Sequence, residues 1–165
     1  MGTLSKVIPG QGGFIAGDER LTNFLRHHAR GYIFSGATPP AVAAGALAAI
    51  EVLEREGTAR ADRLRANIAY FTAGLRRIGW ELGPTESAIV PIMVRDAAAV
   101  FQLASFCHAE GLYVMPVLPP AVASGEERLR TNLTSEHTRR DLEAALDVLA
   151  RAHALLAATR AGAAP

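Results

Sequence analysis

Between Arg60 and Gly79, the residues Leu64, Ile68, Phe71, Leu75 and Ile78 recur at spacings of four, three, four and three. Only an α-helix brings residues so spaced onto one side. Arginines fill the opposite side, so the apolar face has to pack against another element. The sequence that follows names that element. Residues 88–94, AIVPIMV, read as a strand, and Pro91, which has no N–H to donate, predicts an edge position or a bulge. Residues 97–110 read as a helix ended by Gly111. Residues 112–115 read as a second strand, and residues 128–133, which alternate polar with apolar, as a third. Thr138 with Asp141 three positions later resembles a capping box. The helix it opens carries Leu142, Ala145, Leu146, Leu149, Ala152 and Leu156 on one face, with His153 at the margin. From about residue 59 the order is helix, strand, helix, strand, strand, helix, a small sheet covered by helices.

The N-terminal third reads differently. Residues 1–12 are a glycine-rich loop, and residues 13–17 a short strand bounded by glycines. Asp18 caps a helix over residues 19–29, and residues 32–35 are extended. Pro39-Pro40 then opens a helix, since proline suits a first turn whose N–H groups are unpaired anyway. The Ala- and Leu-rich run 41–56 predicts a helix buried on most sides, with a break at Gly57. The domain reading is 1–56 as the end of one domain, 57–158 as a second, and 159–165 as a frayed tail.

The chain has 165 residues, half of them apolar and a fifth charged, with a formal net charge of +1. That balance calls for neither nucleic acid nor an anionic membrane. No run approaches the roughly 18 to 20 apolar residues of a membrane span, and the start lacks a signal peptide's apolar core, so a cytoplasmic location is expected. The single cysteine, Cys107, lies in an apolar run without metal-ligand spacing and reads as a buried thiol.

Chemistry enters with three motifs. The first is Gly2-Thr3-Leu4-Ser5-Lys6, followed by Gly12-Gly13. By itself, a lysine in such a loop is more often solvated than catalytic. The second is Phe34-Ser35-Gly36-Ala37-Thr38-Pro39-Pro40-Ala41. The third is Arg128-Leu129-Arg130-Thr131-Asn132-Leu133-Thr134 with His137. Together they resemble, over nearly the whole chain, the α-oxoamine synthases. These are fold-type I enzymes dependent on pyridoxal 5'-phosphate, and they include 8-amino-7-oxononanoate synthase, 5-aminolevulinate synthase, serine palmitoyltransferase and 2-amino-3-ketobutyrate CoA ligase.

The resemblance implies an α/β fold, with this chain as its C-terminal α+β portion. It implies an acyltransferase that condenses an amino acid with an acyl-CoA, usually with loss of CO2. Lys6 would be the amine that joins the cofactor aldehyde and later removes the α-proton. Thr3, Ser5, Ser35 and Thr38 would serve the cofactor phosphate, and Arg130 the substrate carboxylate. Alternation along a strand turns Arg128 and Arg130 the same way, so only the resemblance favours Arg130. His137 reads as a structural hydrogen-bonding residue.

Two departures bear on substrate choice. Gly36 and Ala37 stand where a family hydroxyl is common, and Ala121 replaces the hydroxyl of the Pro-Pro-Thr/Ser-Val loop. The resemblance also implies that the aspartate facing the pyridine nitrogen, the histidine stacked on the ring and further phosphate ligands lie before Lys6 in an intact member. Met1 then reads as internal to the pattern, and the chain as a truncated product, half of a split gene or an open reading frame started too late. Expected partners are a second copy or a longer relative. Two other readings stay open: a catalytically silent dimerisation module, and another fold-type I enzyme of aminotransferase type.

Overall fold

The computed structural model describes residues 1–162. They form two compact units, residues 1–58 and residues 59 onward.

The first unit opens with an antiparallel hairpin of β1 (Gly2–Ser5) and β2 (Pro9–Phe14). Gly2 pairs with Phe14, Thr3 with Gly13 and Ser5 with Pro9, with a register shift between Thr3 and Ser5. This corrects the expected loop over residues 1–12 and strand over 13–17. The ladder is a backbone feature, and glycine-rich strands carry no side-chain alternation to announce it. Gly13 has to be glycine, because a Cβ there would lie 2.6 Å from the Gly2 carbonyl oxygen. Helix α1 (Glu19–His28) starts where expected: Asp18 Oδ1 accepts from the Leu21 N–H at 2.8 Å. Residues expected to be extended instead form the single turn α2 (Arg30–Ile33).

Helix α3 (Pro40–Ile78) runs without a break through Gly57. One interior glycine costs about 1 kcal/mol relative to alanine, too little to interrupt a 39-residue helix. Its first half is not buried on most sides. Of residues 41–56 only Ala46 is buried, while Leu47 is 59% exposed.

The second unit has a core. Strands β3 (Ile89–Met93), β4 (Met115–Val117) and β5 (Arg128–Asn132) form an antiparallel sheet in the order β3-β5-β4. Pro91 does lie on an edge strand. Its carbonyl still accepts from the Gly83 N–H at 3.0 Å, while Met93 N–H reaches Glu81 O at 2.9 Å. Helix α4 (Ala97–Ala109) is capped by Asp96 and followed by Gly111 at φ +81°, the left-handed conformation in which a helix commonly stops. The second strand starts at Met115 rather than at residue 112.

Helix α5 (Arg139–Gly162) opens on a reciprocal box. Thr138 N–H donates to Asp141 Oδ2 at 2.8 Å, and Asp141 N–H donates to Thr138 Oγ1 at 3.3 Å. Phe71 and Leu75 of α3, Val90 and Ile92 of β3, Leu129 of β5, and Leu142, Leu146 and Leu149 of α5 are buried in one cluster. Trp80 joins it, donating its indole N–H to the Leu149 carbonyl at 3.1 Å and meeting His153 edge to face. The helix also runs past the expected start of the tail: Arg160 donates to the Val94 carbonyl at 2.8 Å. Only residues 163–165 of that tail lie outside the described residues. No helix among the described residues is long and apolar enough to cross a membrane.

Candidate functional site

The hairpin brings Thr3, Ser5 and Lys6 together. Alternation along β1 turns both hydroxyls to the exposed side. Thr3 Oγ1 and Ser5 Oγ share a hydrogen bond of 2.8 Å, and the Ser5 N–H donates to Thr3 Oγ1 at 3.3 Å. Lys6 follows directly, at the start of the turn. It is exposed and makes no hydrogen bond or ion pair among the described residues. It is also the one lysine of the chain, whose other basic side chains are arginine and histidine. Two hydroxyls two residues apart and an amine with no partner among the described residues could serve a phosphate-bearing aldehyde. Lys6 has no apolar wall around it in this unit.

Ser35 and Thr38 differ from each other. Ser35 Oγ donates to the Gly31 carbonyl of α2, so that hydroxyl is engaged by backbone. Thr38 lies just before α3, is exposed and makes no side-chain hydrogen bond among the described residues.

In the second unit the structure separates two arginines that alternation could not. Arg128 is held through its Nε to the Glu126 carbonyl at 2.8 Å and through Nη2 to Glu126 Oε2 at 3.2 Å. Arg130, two residues on, has no such partner among the described residues, and it lines a cavity of about 590 Å³. Tyr113, Asn132 and His137 share that wall, over apolar side chains such as Leu133 and Leu142. His137 Nδ1 accepts from the Thr134 N–H at 3.2 Å, so its proton sits on Nε2. Its own carbonyl accepts from Asn67 at 2.9 Å. A positioning role fits both contacts. Asn132 was missed in the sequence, although the period of two from Arg130 would have found it.

Other titratable groups have structural roles. Burial pushes the Cys107 thiol up to about 11, so it stays protonated and unreactive. The hydrogen bond and charge of Arg95 hold Glu81 below the usual carboxylate range, and the two form an ion pair. Among the described residues no group of histidine, cysteine or carboxylate side chains could hold a metal.

A family model described as aminotransferase class I and II matches residues 1–149. The chain is 39% identical over 152 residues to a serine palmitoyltransferase of Bacteroides thetaiotaomicron, covering 92% of this chain and 38% of that protein. It is 40% identical over 149 residues to 8-amino-7-oxononanoate synthase 1 of Bacillus subtilis, covering 90% and 38%. A solved structure of SPT with PLP as its internal aldimine superposes with a TM-score of 0.88 at 30% identity, covering 94% of this chain and 39% of that one. The chain therefore spans well under half the length of the relatives it matches.

Proposed function

The chain belongs to the class I and II aminotransferase family, in its α-oxoamine synthase branch, and from that membership we propose that it is the C-terminal part of a pyridoxal-phosphate-dependent acyltransferase. The reaction is the condensation of an amino acid with an acyl-CoA to give an α-oxoamine. Residues 1–56 are the end of the cofactor-binding domain and residues 57–158 the small domain. The observation that carries the reading is the unpaired Lys6 directly after the hydrogen-bonded hydroxyls of Thr3 and Ser5.

Pyridoxal phosphate, when bound, supplies the electron sink for charge at the amino acid's α-carbon. Lys6 would hold the cofactor by its amine, which, once free, would serve as the base for the α-proton. Thr3, Ser5, Ser35 and Thr38 would be the residues that hold the cofactor, the hydroxyls offering hydrogen bonds to its phosphate. Arg130 binds the substrate carboxylate with its two-pronged guanidinium. Residues outside this chain complete the pocket, so the chain alone binds the cofactor weakly or not at all. A second copy or a longer relative is the partner, and the assembly works in the cytoplasm.

The test uses the single lysine. Pyridoxal phosphate is added and the adduct trapped with borohydride, and the label is mapped by mass. In the assembled protein the label belongs on Lys6 and disappears in Lys6→Ala. A label confined to the Met1 amine would overturn the assignment. A strong visible band from the isolated chain, lost in Lys6→Ala, would overturn its incompleteness. Release of CoA thiol with an α-oxoamine product separates acyl transfer from transamination. The exposure of Lys6 supports a second reading, a catalytically silent module that pairs with a complete relative. In that case the assembly works equally well with Lys6→Ala.

A further inference from the structure

Strands β4 and β5 are joined by residues 118–127, and most of that loop is exposed. Its own contacts are sparse. The Ala121 N–H donates to the Leu118 carbonyl at 2.9 Å, and the Glu126 N–H to the Ala123 carbonyl at 3.1 Å. The last residue is the exception. Glu127 is 4% exposed, two positions before Leu129, and the alternation continues through the buried Thr131. An ion pair would offset part of the cost of burying a carboxylate, and Glu127 has none among the described residues. Both of its oxygens turn instead to one donor. The Gly125 N–H reaches Glu127 Oε2 at 3.0 Å and Oε1 at 3.2 Å. An apolar residue could lead into β5 at lower cost, so the carboxylate is accounted for by what it holds.

Gly125 is held at its other end as well. Its carbonyl accepts from Arg95 Nη1 at 3.2 Å. The Arg95 guanidinium is fixed in turn by the ion pair with Glu81, whose Oε2 accepts from Arg95 Nε at 3.1 Å. Arg95 is the one residue other than glycine with a positive φ among the described residues, at +63°. That conformation costs free energy in a residue with a Cβ. It accompanies a backbone lock: the Val94 and Arg95 N–H groups both donate to the Glu127 carbonyl, at 3.0 and 2.9 Å. A buried charge and a strained backbone thus meet at one glycine, at the root of a loop with few ties of its own. We infer that Glu127 and Arg95 are positioning residues, which grip Gly125 by its N–H and its carbonyl and so set the course of residues 118–126. Arg130 lies three residues beyond the clamp, and Ala121, at the family's hydroxyl position, lies inside the loop. The effect on substrate rests on the proposed function, and the clamp itself does not.

The test is residue-resolved amide exchange on the full chain, with fluorescence of the buried Trp80 in urea reporting overall stability. Glu127→Leu is close in volume and removes both oxygens. In it the Gly125 and Glu126 amides should exchange at least about tenfold faster, the loss of one charge-assisted bond, while those of Leu129 and Thr131 stay within about threefold of wild type. Glu127→Gln, whose side-chain oxygen can still accept, should recover most of that protection. Arg95→Gly suits the backbone angle and removes the guanidinium, and it should speed exchange at Glu126 with the core amides unmoved. Unchanged exchange in Glu127→Leu overturns the clamp. Acceleration shared equally by Leu129 and Thr131 overturns it too, since Glu127 would then be part of the scaffold. Should Glu127→Leu fail to fold, unchanged exchange in Arg95→Gly is the overturning result. In the assembled protein, Glu127→Leu should raise KM for the amino acid or the acyl-CoA at least about fivefold, with kcat less changed and Lys6 trapped by borohydride to the wild-type extent. Glu127→Gln should restore it. A fall in kcat with both KM values unchanged overturns the link to substrate. A wild-type assembly without turnover defeats the functional reading, and the exchange result then decides the clamp by itself.

Discussion

The two units of this chain differ in how much apolar surface they bury. The second, from residue 59, buries a cluster running from Phe71 and Leu75 through Ile92 and Leu129 to Leu149. The first holds Thr3, Ser5 and Lys6 and buries one alanine. Cofactor chemistry asks for exposed hydroxyls, close backbone and an accessible amine, and those features leave little side chain with which to build a core. A small sheet under two long helices has the opposite profile.

The strongest way to break this contrast is a matched pair of truncations. Leu149 is fully buried and Leu47 is 59% exposed. Leu149→Ala should destabilise the urea transition of the isolated chain by about 2–5 kcal/mol through lost transfer energy and a cavity. Leu47→Ala should change it by less than about 0.5 kcal/mol. Equal costs would mean that the first unit has a core of its own.

Next in size is an alkaline transition. The Cys107 thiol, raised by burial from 9.0 to about 11, is protonated in the folded chain at pH values where the unfolded chain has already lost the proton. A raised folded value contributes stability that is complete below the unfolded value and fades as pH rises through the folded one. The urea midpoint should therefore fall between about pH 9 and 11, by an amount equivalent to about 3 kcal/mol. Cys107→Ala should flatten that limb. The first unit contains no thiol, so the signal belongs to the second alone.

How much of this was legible follows the same division. The 4-3-4-3 stripe of α3 and the stripe of α5 could be read because one face of each is buried, and burial imposes a period. The Thr138–Asp141 box and the Asp18 cap could be read because they are local chemistry. The hairpin could not, since residues 9–14, PGQGGF, pair through backbone and show no alternation. The run 41–56 misled because an alanine- and leucine-rich composition does not itself bury a helix, and only Ala46 of the run is buried. Gly57 misled because a long helix absorbs one glycine. At the site, Lys6, Thr3 and Arg130 were legible only as a pattern shared with a family. The engagement of Ser35 by Gly31, and of Arg128 by Glu126, needed coordinates.

A smaller effect compares two helix caps of the same kind. Thr138→Ala removes a cap that belongs to the second unit and should cost about 1 kcal/mol in the isolated chain. Asp18→Ala removes the equivalent bond to the Leu21 N–H in the first unit, and should leave that transition unmoved. The Asp141 carboxyl adds an acid limb. The hydroxyl and N–H of Thr138 hold it below the usual carboxylate range. Its contribution is complete above the unfolded value and is lost as pH falls through the lowered one. That loss should be visible in wild type and weaker in Thr138→Ala.

The smallest stability effect is expected at the residue for which a substrate contact is proposed. Arg128 is tied to Glu126, and Arg128→Gln should cost a few tenths to about 1 kcal/mol, the range of a partly exposed ion pair. Arg130 is exposed, lines the 590 Å³ cavity and has no ion pair among the described residues, so Arg130→Gln should lie within about 0.5 kcal/mol of wild type. A residue kept for folding would not behave this way, because an arginine without a partner adds charge and side-chain entropy and gains nothing from the fold. Its proposed use is a carboxylate. In the assembled protein Arg130→Gln should raise KM for the amino acid at least tenfold, the loss of one charge-assisted contact, while Arg128→Gln leaves it near wild type. The reverse order, or a large stability cost at Arg130, would return this arginine to the scaffold and leave all the chemistry in the first unit.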